Sequence, residues 1–206
     1  ITSETDFVAR NKVFLDMCTF LSKKAHYFFS NNLQSFLASI LDNKSDVNTY
    51  INNIASVLGE KISLKKIIKI DSGKNGFISH YIHNSLSETS GSIISALAFE
   101  GSQPIQNVLI KQLAMHIAAL DPIAMNIEDV DKKILDKEKQ ILINTIDQTK
   151  EKKLIDRILL GKIQKFYKEN VFAEQQFVVD NKLKVKDILT ELDRDYSIKL
   201  KNFIRV

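Results

Sequence analysis

The chain has 206 residues, 44% hydrophobic and 26% charged, a composition typical of globular proteins with room for one sizeable domain or two small lobes. Its single cysteine, Cys18, leaves no partner for an intramolecular disulfide, and its 29 basic and 25 acidic residues, net +4, are interspersed, with no basic stripe carrying interleaved aromatics, so direct nucleic-acid binding is not expected. No apolar run approaches the roughly 20 residues that span a bilayer, no signal-peptide pattern is visible, and Ile1 rather than Met opens the sequence, so a fragment or trimmed chain is expected.

Residues 1–5 read as the end of a strand, and Thr5 or Asp6 can cap the helix that follows. That helix is expected over 8–30. Phe14, Met17, Phe20 and Leu21 recur at helical spacing, and Phe28 and Phe29 extend the apolar face. Cys18 lies in this periodic stretch and reads as buried rather than reactive. Asn31-Asn32 favours a break, and a short helix is expected over 36–41. Ser45-Asp46 then opens a third helix, whose face is Val47, Tyr50, Ile51, Ile54 and Leu58. Gly59 suits the position just past its end.

The period then changes. Residues 62–70 are rich in Ile and Lys and read as a strand, and DSGKNG at 71–76 is a turn by composition. A second strand follows over 77–84, a looser turn over 85–91 and a third strand over 92–99, together an antiparallel meander. Pro104 starts a helix through Val108, Leu109, Ile110, Leu113, Ile117 and Ala118. It ends before Asp121-Pro122, because a residue preceding proline disfavours the helical region.

From 128 to 168 there is no proline and only one glycine, Gly161. Val130, Ile134, Ile141 and Thr145 share one face, and Leu154, Ile158, Ile163 and Phe166 form a comparable one. The polar DQTKEKK, 147–153, lies between them, so a projecting antiparallel helical hairpin is expected, its stripe the seam between the arms. The tail reads as a strand at 177–179, a helix at 185–192 and a final strand at 201–206. The fold class is therefore α+β, with two small antiparallel-sheet-plus-helix lobes. The expected division is 1–70 for the N-terminal lobe, 71–126 and 173–206 for the C-terminal lobe, and 127–172 for the hairpin.

Catalytic chemistry is sparse. GKNG lacks the spacing of a phosphate loop and lies between strands. His80 and His83, three apart on a strand, point to opposite faces and do not readily chelate one metal. No Cys or carboxylate cluster supplies further ligands. His116 stands among Ala and Met residues, where a structural role is the default, and the hairpin carboxylates read as a solvated face. These residues favour a binding or exchange protein over an enzyme, with no cofactor or metal of its own.

Several segments match one family in order along nearly the whole chain. SETDFVARN at 3–11 resembles the C/S-E-T-D-F-V-A-R/K-N signature of the elongation factor Ts family. VLGEKI at 57–62 is similar to its I/L-G-E-N/K-I segment, and HYIH at 80–83 to its S/A-Y-x-H strand. KQLAMHIAALDP at 111–122 resembles its K-x-I/L-A-M-H-I/V-A-A-x-x-P helix, and GKIQKFYKENVFAEQQFVVD at 161–180 its G-K-x-x-K-F stretch. Two departures stand out. The family's small N-terminal helical domain is not seen, and NSLSETSGSIISAL after His83 is longer and less glycine-rich than the family's turn.

The resemblance implies a guanine nucleotide exchange factor of translation elongation, acting on the GTPase elongation factor Tu. In the family an Asp-Phe pair enters the GTPase near its magnesium and phosphate site, and the Phe wedges there until GDP leaves. By motif those roles fall to Asp6 and Phe7. Leu58, Gly59 and Glu60 match a segment applied to the nucleotide-binding domain, and Tyr81 and His83 match a strand facing another domain of the GTPase. The resemblance further implies the cytoplasm, most simply of a bacterium although organelles also hold members, no membrane, and a homodimer or a heterotetramer with the GTPase as the assemblies open to it. The alternative is a helical-hairpin scaffold that binds a partner without exchange activity.

Overall fold

A computed structural model describes residues 1–28, 30–42, 45–102, 108–146 and 151–206. Phe29, Pro104 and the first part of the 147–153 link therefore lie outside the described residues. The chain divides into one unit of Ile1–Lys69 with Ile82–Ile94 and another of Ile70–Tyr81 with Ser95–Val206.

The first unit carries α1 (Asp6–Ala9), α2 (Lys12–Tyr27), α3 (Leu33–Leu37) and α4 (Val47–Leu58). The single helix expected over 8–30 is two. Asn11 is extended at φ −69°, ψ 135°, and its side chain accepts from the Val13 amide at 2.8 Å. That local bond competes with helix continuation and restarts the chain as α2. α3 ends at Leu37 rather than 41, and α4 is capped by Asp46, which accepts from the Thr49 amide at 2.6 Å. Phe14, Met17, Leu21, Phe36, Val47 and Ile51 form the buried centre, as their periodicity requires. Residues 62–70 do not form a strand. Among the described residues their one ladder contact is a single bridge between Thr2 and Ser63, while Ile62 is buried and Leu64 and Ile67 pack on the core. The β-rich composition there serves burial, which is what such propensity largely measures.

β1 (Gly76–Ser87) and β2 (Ser90–Glu100) form a hairpin whose strands run further than expected, so the turn is only Glu88-Thr89. Its end belongs to the first unit, where the Thr89 and Thr19 hydroxyls lie 3.4 Å apart. In the second unit β3 (Lys199–Arg205) completes a sheet of order β1-β2-β3. β3 pairs antiparallel with β2, from Ser95 opposite Arg205 to Glu100 opposite Lys199, with an irregularity at Ala98/Phe99.

α5 (Val108–Leu120) and α8 (Val185–Tyr196) pack with that sheet through Leu97, Phe99, Leu113, Ile117, Ile188 and Leu192. Ser95 Oγ donates to the Ala114 carbonyl at 2.6 Å, satisfying a buried hydroxyl. α5 stops where Asp121 turns left-handed, φ +46°, before Pro122. The strand expected at 177–179 is absent. Among the described residues only a Gln176–Lys184 bridge forms near it.

α6 (Lys132–Asn144) and α7 (Lys152–Asn170) make the expected pair of helices. The stripe on α6 is displaced by one residue. Ile134 and Ile141 are 45% and 48% exposed, whereas Leu135 packs on the cluster of Ala124, Val130 and Val171, and Ile146 is buried. Adjacent apolar pairs, Ile134-Leu135 and Ile141-Leu142, offer two helical phases, and only packing selects between them.

Candidate functional site

The start of α1 is held from both sides. Thr5 is extended at φ −127°, ψ 155°, and its hydroxyl accepts from the Val8 amide at 3.3 Å, so Thr5 rather than Asp6 is the cap. Val8 turns into the core and fastens the single helical turn, while Phe7 beside it is 88% exposed. Asp6 is exposed in the first turn, where the helix dipole favours an anion. Among the described residues its carboxylate makes no hydrogen bond.

The end of α4 meets this turn. Gly59 takes φ +71° and its amide donates to the Ala55 carbonyl at 2.8 Å, a left-handed stop that glycine adopts without strain. The chain then delivers Glu60 to the N-terminal segment. Glu60 Oε2 accepts the Glu4 and Thr5 amides at 3.2 and 3.0 Å, and Oε1 accepts the Thr5 hydroxyl. Glu4 Oε2 accepts the Lys61 amide at 3.3 Å, and Thr2 and Ser63 exchange backbone bonds of 2.8 and 3.0 Å. Asp6, Phe7, Leu58, Gly59 and Glu60, read from two distant motifs, therefore belong to one cluster. Leu58 itself packs against the core. Val57, its neighbour on α4, is 74% exposed. It lies off the apolar face formed by Tyr50, Ile51, Ile54 and Leu58, so its exposure follows from the helical period.

Tyr81 and His83 are two apart on β1 and so share a face. Tyr81 is half-buried against the core of the second unit, and His83 is exposed in the part of the strand assigned to the first. Just beyond, Asn84 is left-handed at φ +47°. Across the hairpin Gly91 lies so close that a Cβ there would fall 2.7 Å from the His83 carbonyl and 2.3 Å from Ile82 Cγ2.

His116 is fully buried between the rings of Phe172 and Phe177. The Val178 amide donates to its Nδ1 at 3.2 Å, so Nε2 carries the proton and donates to Gln175 Oε1 at 2.9 Å. Burial pushes its pKa below the usual value, against a smaller opposing effect of the Gln175 bond. A neutral, doubly bonded ring of this kind holds the 175–178 segment to α5. Among the described residues no group of three or more His, Cys, Asp or Glu is placed to hold a metal ion, and no helix is long and apolar enough to cross a membrane.

The family model of elongation factor TS matches residues 4–206. The elongation factor Ts of Ehrlichia ruminantium (strain Welgevonden) is 31% identical over 198 residues, covering 95% of this chain and 68% of that protein. That of Ehrlichia chaffeensis is 34% identical over 198 residues with the same coverage, and that of Wolbachia pipientis wMel is 31% identical over 206 residues, 98% of this chain and 71% of that protein.

Proposed function

Because the chain belongs to the elongation factor Ts family, we propose that it releases GDP from elongation factor Tu by inserting the Asp6-Phe7 turn near that GTPase's magnesium and phosphate site. Membership makes it a translation elongation factor. The exchange step, and the residues that perform it, rest on one observation above all. Phe7 is 88% exposed on a turn tied down by Val8, Thr5 and Glu60.

An aromatic kept in water forgoes roughly 1.5–3 kcal/mol of burial. A partner that covers it recovers that energy, worth about one to two decades in an equilibrium constant. If the covered state is the nucleotide-free one, linkage weakens GDP by the same ratio. Phe7, wedged into a site dominated by a magnesium ion, would loosen that ion's ligation, with Asp6 brought in beside it. No bond is made or broken in this scheme, so the chain acts as a binding protein and not as an enzyme. Leu58, Gly59 and Glu60 border the same cluster, and Tyr81 and His83 supply a separate contact to the GTPase. The cytoplasm, where bacterial translation runs, is a compartment that fits this function.

Stopped-flow release of a fluorescent GDP analogue from elongation factor Tu tests the reading. The chain should accelerate release, and Phe7→Ala should remove most of that acceleration while still binding. A chain that binds without changing the rate would make it a scaffold.

A further inference from the structure

The geometry points to Glu60 as a positioning residue that sets the Asp6-Phe7 turn, rather than a side chain that touches the partner. This rests on the exchange reading above. An ionised carboxylate has about four acceptor sites. Glu60 commits three of them inside the chain, to the Glu4 amide, the Thr5 amide and the Thr5 hydroxyl. About one acceptor site is left over, on a carboxylate whose orientation the other three bonds already fix.

The bonds also form a relay. The Thr5 hydroxyl has one proton, and Glu60 takes it. That leaves an oxygen lone pair for the Val8 amide, one of the orphan donors at the start of α1. α1 has four residues, far below the length at which a helix holds itself. Its geometry, and with it the direction of Phe7, is set by the cap at Thr5, by the burial of Val8 and by the carboxylate behind the cap. Glu4 returns the arrangement by accepting the Lys61 amide, so the two segments grip each other from both sides.

Glu60→Gln is the discriminating change. It keeps size and shape but replaces one acceptor oxygen by an NH2 group, which must face either two backbone amides or the Thr5 hydroxyl. Release of labelled GDP is measured against factor concentration for the wild type, Glu60→Gln, Thr5→Ser, Phe7→Ala and the Phe7→Ala/Glu60→Gln pair. Glu60→Gln should lower the maximal rate about tenfold, the effect of 1.4 kcal/mol, with the half-saturating concentration little changed. Thr5→Ser, which keeps the hydroxyl, should retain the wild-type rate, and the double variant should be no slower than Phe7→Ala alone. Amide hydrogen exchange on the free chain should show faster exchange at Glu4, Thr5 and Val8 in Glu60→Gln, with α2 and α4 unaltered.

A Glu60→Gln variant that shifts only the half-saturating concentration, or whose effect multiplies with that of Phe7→Ala, overturns the positioning role and makes Glu60 a contact. Unchanged exchange at Thr5 and Val8 overturns the relay. A wild-type chain that does not accelerate release overturns the exchange reading itself, an outcome distinct from an active wild type with an equally active Glu60→Gln.

Discussion

Phe7 and Val8 are neighbours in the chain and opposites in environment: 88% of one is exposed and 8% of the other. A single residue step, about 100° around the helix axis, separates the side chain that fastens the segment from the side chain it displays. Truncation should distinguish them. Phe7→Ala is expected to leave unfolding stability within about 0.5 kcal/mol, as for an ordinary surface change. Val8→Ala should cost on the order of 1–2 kcal/mol by removing core methyls. Urea unfolding of the two variants compares them, and an equal loss would mean that Phe7 packs on its own chain.

The two glycines near the site do different work. At Gly59 a Cβ meets nothing within 4 Å, but the backbone sits at φ +71°. Gly59→Ala should cost only the left-handed penalty, roughly 1–2 kcal/mol. At Gly91 a Cβ would lie 2.3 Å from Ile82 Cγ2 and 2.7 Å from the His83 carbonyl. Gly91→Ala must therefore move the β1 backbone, and its loss in thermal unfolding should exceed that of Gly59→Ala. It should also shift the His83 ring resonances.

His116 makes stability depend on pH in a defined direction. Its folded pKa lies below the ordinary value of 6.5 because burial disfavours the imidazolium. Below that value the unfolded chain takes up a proton that the folded chain resists. Stability is therefore fully present above pH 6.5 and falls as the pH drops below it, by at most about 1.4 kcal/mol per pH unit for one proton. Comparing urea midpoints of wild type and His116→Gln at two pH values isolates this component, which the variant should lack. A parallel pH dependence in both proteins would assign the effect to other groups.

The phase of the helical pair can be tested by placing a charge on either of two adjacent residues. Leu135→Asp puts a carboxylate into the cluster with Val130 and Val171, whereas Ile134→Asp puts it at a half-exposed position. Leu135→Asp should lower the melting temperature, and Ile134→Asp should change it little. Circular dichroism melts suffice, and the reverse order would restore the stripe read through Ile134.

Much of this was legible beforehand for a physical reason. The cores of α2, α4, α5 and α8 follow a helical period, and the two caps of α4, Asp46 and Gly59, carry their own chemistry. What was not legible depended on partners remote in sequence. Residues 62–70 have the side chains of a strand but find one bridge partner, Thr2. The exposure of Phe7 followed only from a resemblance, because a lone aromatic at a helix start reads equally as core. The grip of Glu60 on Thr5 spans a separation of 55 residues, and no local pattern announces it. On α6, two adjacent apolar rows were equally good by spacing, and the packing of Leu135 on Val130 and Val171 decided between them.

The order β1-β2-β3 also sets a sequence of events in time. β1 and β2 are joined by two residues and can zip within about 1–10 μs. β3 must return to β2 from the far end of the unit, after α5, the helical pair and α8 have intervened. Arg205 then reaches α5 as well, donating from Nε to the Ala118 carbonyl and pairing with Asp121. The entropy of closing so long a loop is lost before those contacts compensate for it, so the closing of β3 on β2 is the late and slow step of folding for this unit. Until it occurs, the outer edge of β2 remains open to another strand, and chains concentrated at that stage are the ones that would aggregate.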